Sequence, residues 1–108
     1  CEDYDLWLRI CARFPVLLVA EPLVIKQGGH ADQLSRRYPA MDRFRLRALH
    51  KLLGRNHLTP DQARAALATL NDKTAVYCAG ARKRGRHKEA DRLEARYRTL
   101  ARHWAKAA

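Results

Sequence analysis

The stretch TPDQARAALATLNDKTAVYCAGARKRGRHKEADRLEARYRTLARHWAKA, residues 59–107, decides the fold. It opens on Thr59-Pro60-Asp61-Gln62, a helix start. The threonine hydroxyl can accept a free backbone N–H of the first turn, the proline has no N–H to leave unpaired there, and the glutamine can reach back to complete a capping box. Asn71 offers a second cap, for a helix running to about Lys83, and Gly85 makes a turn. Beyond it Ala90, Leu93, Tyr97, Leu100, Ala101 and Trp104 recur at helical spacing and form one apolar face. The segment therefore reads as three short antiparallel helices, the last two making a helical hairpin. Small residues at Ala75, Ala79, Gly80 and Ala90 would let those two helices approach closely, much as in tetratricopeptide-type hairpins. No second copy recurs at a fixed period, so no repeat array is expected.

Upstream, Met41, Phe44, Ala48, Leu49, Leu52 and Leu53 share one helical face and Gly54 supplies a stop. Arg43, Arg47, Lys51 and Arg55 form a basic stripe on the same helix. Residues 28–40, GGHADQLSRRYPA, have too little periodicity to be other than a loop. Before it come two apolar runs of strand length, Val16-Leu17-Leu18-Val19-Ala20 and Leu23-Val24-Ile25-Lys26, separated by Glu21-Pro22. Neither alternates cleanly, as strands covered on both faces tend not to. The chain opens on CEDYDLWLRI, where Leu6, Trp7, Ile10, Cys11 and Phe14 predict a helix with one buried side, ended by Pro15.

With 108 residues, 47% of them hydrophobic, the chain is one domain's worth and can bury a small core. Its apolar runs fall far short of the roughly 20 residues of a membrane span. Cys1, Cys11 and Cys78 fit no zinc spacing; reduced cytosolic thiols are expected, with Cys11 and Cys78 packed in the core. The charge of +11 is uneven. Residues 1–40 balance five acids with five bases, whereas the remainder sets seventeen bases against six acids. The two parts are expected to face different partners.

Three features could carry chemistry. In Glu2-Asp3-Tyr4-Asp5 a carboxylate could take a proton from a hydroxyl or join another on a divalent cation, but acids also collect at helix N-termini as caps. His30 follows two glycines and precedes Asp32, Gln33 and Ser35, a polar loop suited to closing over a ligand, although a loop histidine is commonly just solvated. His50, His57, His87 and His103 have no ligand partner at i+4 and read as surface residues. The cluster Arg82-Lys83-Arg84-Gly85-Arg86-His87-Lys88 could grip nucleic acid, rest on anionic lipid, or simply be a solvated turn at a helix C-terminus. No aromatic residue interleaves with it, which disfavours nucleic acid.

Taken together, Glu2-Asp3-Tyr4-Asp5-Leu6-Trp7-Leu8-Arg9-Ile10, then Phe14-Pro15-Val16, Glu21-Pro22-Leu23-Val24 and Gly28-Gly29-His30-Ala31-Asp32-Gln33-Leu34-Ser35 resemble the C-terminal part of bacterial family 2 glycosyltransferases with the GT-A fold. The likeness covers residues 1 to about 53; the helical remainder is less specifically similar to C-terminal extensions of such proteins. It implies a mainly α piece, with two short β-strands near its N-terminus, from the C-terminal part of an α/β enzyme. Residues 1–38 would end the catalytic domain and 39–108 would form a helical region.

The resemblance further implies Asp3 as the catalytic base that deprotonates the acceptor hydroxyl, with Glu2 supporting it. His30, Gln33 and Ser35 would lie on the loop closing over the nucleotide diphosphate, His30 helping to hold the metal. The full-length enzyme would use a divalent metal, Mg or Mn, a nucleotide sugar and a hydroxyl acceptor, in cell-surface polysaccharide or glycolipid synthesis. Its nucleotide-binding half would lie before Cys1, so this piece alone is expected to be inactive and to hold no cofactor. Trp7 still reads as core. Asp3-Tyr4-Asp5 has the spelling of the family's metal-binding Asp-x-Asp but the position of the later acidic motif, so that metal role is not assigned to it. The expected location is cytoplasmic, at most peripheral to the inner membrane; an anionic membrane surface or a second copy of the chain are the further partners expected, and nucleic acid is disfavoured. The competing reading is a small basic helical module that binds a protein, an anionic membrane surface or nucleic acid.

Overall fold

A computed structural model describes residues 2–26, 42–55 and 57–107. They form a mainly helical protein with α1 at Glu2–Arg13, α2 at Asp42–Gly54, α3 at Pro60–Lys83 and α4 at His87–Ala107. The capping box forms as its sequence dictates. Thr59 Oγ1 accepts from the Gln62 backbone N–H at 3.2 Å, and the Thr59 N–H donates to Gln62 Oε1 at 3.0 Å. From there α3 runs without a break. Asn71 lies inside it and caps nothing, so residues 59–107 make two long helices instead of three short ones. The reason is local: no glycine or proline interrupts residues 61–79, and the face that runs through Leu70, Thr74, Tyr77, Cys78 and Ala81 stays buried across Asn71.

Gly85 turns the chain with φ of +80°, a left-handed conformation that costs a side-chain-bearing residue energy. The α3–α4 hairpin closes around this turn. Cys78 is buried in its interface, as expected, with Sγ 3.5 Å from the Ala90 carbonyl oxygen. The close approach comes from Ala81 and Ala90, both fully buried. Ala75 and Ala79 point outward, because the interface register places Thr74, Tyr77 and Cys78 inward in their stead. Against α3 pack Leu46, Leu49 and Leu53 of α2 on one side and Leu93, Tyr97, Leu100 and Trp104 of α4 on the other. The Trp104 indole N–H donates to the Leu53 carbonyl at 3.2 Å and ties the end of α4 to the end of α2.

Two expectations for the N-terminal part are corrected. Helix α1 ends before Pro15 as anticipated, but it packs on α2 and the core through Tyr4 and Leu8. Leu6, Trp7, Cys11 and Phe14 are exposed, Trp7 at 59% and Phe14 at 62%. Residues 16–20 and 23–26 form no strand, and no strand occurs among the described residues. Val16, Leu17, Leu18, Val19, Leu23, Val24 and Ile25 are instead between 65% and 90% exposed. Two short runs with Pro22 between them have no third strand to pair with among the described residues, and the hydrogen bonds of a lone hairpin do not offset the entropy of ordering it.

Candidate functional site

The acids that open α1 have separate fates. Asp5 is held between two cations, with Arg9 Nε 3.1 Å from one carboxylate oxygen and Lys51 Nζ 2.9 Å from the other. These bonds, the one from Lys51 foremost, keep its carboxyl below the usual range despite some burial. Asp5 is therefore a strut between α1 and α2. Asp3 is exposed, and a helix turns roughly 200° over two residues, which sets it on the side away from that strut. Glu2 begins the helix beside it. Tyr4, on the packed face, has its phenol pushed up by burial, which outweighs the lowering by the nearby Arg45.

The far end of α1 is fixed by Gln62, whose Nε2 donates to the Ala12 carbonyl at 2.9 Å. One side chain thus completes a cap and clamps two helices. Between α1 and the α2–α3 link lies an open groove of about 270 Å³, floored by Leu6, Ile10, Phe14, Leu52 and Leu58 and edged by Arg9, Arg13, Arg55 and His57. Neither the Asp5–Lys51 strut nor this groove was foreseen from sequence. Their partners lie close to 40 or more positions apart, and no local pattern marks them.

Of the other residues singled out, His30, Gln33 and Ser35 lie outside the described residues. Among the described residues no three His, Cys, Asp or Glu side chains converge on a metal-sized site. The basic cluster is partly spent on structure. The Arg82 guanidinium binds Glu94 at 2.6 and 3.0 Å and Asp91 at 2.9 Å. Those bonds, Glu94's first, raise the pKa of Arg82, and the same contact lowers that of Glu94. Arg86 lies 3.6 Å from Glu89, which also accepts from the Tyr77 hydroxyl at 2.5 Å. Burial and that acceptor push the Tyr77 phenol up. Burial raises the Cys78 thiol as well, so it is no activated nucleophile.

His50, expected at the surface, is buried at 7% exposure, with its Nε2 unpaired among the described residues. Burial first, then the neighbouring charge of Arg96, pushes its pKa down to about 4. The register explains the miss: position 50 falls next to Leu49 on the wide face that α2 turns to the core. In comparisons with protein-family models, curated proteins and solved structures, the chain matches none of them.

Proposed function

We propose that this chain is the C-terminal part of a family 2 glycosyltransferase in which Asp3 is the catalytic base. The observation that carries the reading is the exposed apolar segment 16–25 that follows α1. Its seven large aliphatic residues would each gain about 1.5 kcal/mol or more on burial, and a sheet of strands on either side is a cover that matches their run length. The motif order described above then assigns the segment to the edge of an α/β catalytic domain. The split between the acids agrees with this assignment. Asp5 is occupied by Arg9 and Lys51, whereas Asp3 is exposed at the start of a helix anchored at both ends, a rigid mount for a base.

In the reaction, Asp3 takes the proton of an acceptor hydroxyl while that oxygen attacks the anomeric carbon and the nucleoside diphosphate departs. Glu2 supports Asp3 or contacts the acceptor. His30, Gln33 and Ser35 belong to the loop over the diphosphate, and His30 is the residue of this chain that would touch the divalent metal, which supplies charge neutralisation for the leaving group. Asp3→Asn in the full-length enzyme tests the assignment. It should lower kcat by about 100-fold or more with donor affinity nearly unchanged, whereas Asp5→Asn should act on stability alone. Undiminished turnover in Asp3→Asn ends the base assignment.

A further inference from the structure

Helix α4 carries six lysines and arginines and three acids, and its outer side is far more basic than that count suggests. Each acid is bonded to a side chain of α3, although Asp91 stays 71% exposed and stands about 20° from Arg102 around the helix, at the edge of the outer side. Glu89 accepts from Tyr77, and Asp91 and Glu94 hold Arg82. The apolar residues Ala90, Leu93, Tyr97, Leu100 and Trp104 are all packed inward. At roughly 100° per residue, Lys88, Arg92, Arg102 and Lys106 then fall within an arc of about 80° centred opposite that apolar face. All four are exposed, and among the described residues none has an ion-pair partner. Arg96 and Arg98 flank the line, one on each side.

We propose that this outer ridge of α4 docks the protein on a membrane surface of anionic lipid headgroups. The ridge from Lys88 to Lys106 is about 27 Å long and lies along one side of a single helix, so all four cations can meet a plane at once. A helix seated in a nucleic-acid groove meets phosphates with its flanks and turns its ridge to the bases; here the ridge itself is most cationic, with Ala95 and Thr99 the small residues between. No aromatic or large aliphatic residue lies on the ridge, so the helix adsorbs through charge without inserting. This surface is separate from α1 and segment 16–25 and does not depend on the reading given to them.

The test is sedimentation of the 108-residue chain with vesicles of phosphatidylcholine alone and with about 30% phosphatidylglycerol added, the anionic lipid supplying the surface potential. Binding should require the anionic lipid and fall away near 0.5 M salt, where the Debye length is about 4 Å. Each of Lys88→Gln, Arg92→Gln, Arg102→Gln and Lys106→Gln should weaken it about fivefold. The four together should weaken it by roughly 600-fold, with the circular dichroism of the helices intact because glutamine suits an exposed helix. The pair Lys83→Gln and Arg84→Gln, at the end of α3 and outside the ridge, should matter less than any two of these. Equal binding to neutral vesicles, anionic binding that survives the fourfold change, or binding to duplex DNA with none to vesicles would each overturn the proposal.

Discussion

Acidification should destabilise this protein through His50. The imidazole is buried, its Nε2 has no partner among the described residues, and its folded-state pKa is about 4 against 6.5 in the unfolded chain. Its pKa is depressed by folding, so the unfolded state binds more protons between those values and stability rises with pH across the window. The contribution is complete above pH 6.5 and is lost as pH falls toward 4. Between pH 8 and pH 5 the two pKa values correspond to a loss of about 2 kcal/mol. Asp5 and Glu94, whose carboxyls are held low by their cations, contribute stability that is lost only at more acid pH. Urea unfolding at pH 8 and pH 5, followed by circular dichroism, measures the drop. His50→Leu removes the titrating group and the unpaired nitrogen while roughly keeping the volume. In that variant the loss between the two pH values should shrink to a few tenths of a kcal/mol. An equal pH dependence in both proteins would refute the argument, and His50 would then have to be solvated or protonated in the fold.

Asn71→Ala separates a continuous α3 from two shorter helices: inside a helix it should stabilise by about 0.5 kcal/mol, whereas loss of an N-cap would cost about 1 kcal/mol, and urea midpoints distinguish the signs. Gly85→Ala should destabilise by about 1 kcal/mol, purely through the backbone conformation at the turn, since nothing lies within 4 Å of the added methyl. A midpoint that does not move would mean that the turn is not left-handed.

What the sequence made legible was local or periodic. The capping box at Thr59 and Gln62, the glycine turn at Gly85, and the inward line from Ala90 to Trp104 are all specified by residues within a turn or two of one another. What it concealed depends on what lies opposite. Trp7 and Phe14 have the right spacing for a buried face, yet periodicity states only that a face is apolar, never that something covers it. The runs at 16–20 and 23–26 have strand composition, and a strand exists only when another strand accepts its hydrogen bonds. His50 was misread because a polar residue type was given more weight than its place beside Leu49. In the candidate site, Asp3 at a helix start was legible, while the engagement of Asp5 was not, because Lys51 comes from another helix.

The uneven charge has a structural meaning that composition alone does not reveal. Asp5 joins α1 to α2, Asp42 lies 3.7 Å from Lys73 and so links α2 to α3, and Glu89, Asp91 and Glu94 link α4 to α3. These five acids thus serve as fasteners between helices. Each fastener is partly exposed and of modest worth alone, so the packing of Leu46, Leu49, Leu53 and Leu70 remains the main source of stability. The fasteners matter more for where charge ends up. By drawing acids inward between helices they leave cations outward, and the outer ridge of α4 is the clearest product of that sorting. Asp3, exposed at the start of α1, takes part in none of these inter-helix ties among the described residues, which agrees with the proposal that gives it a chemical role.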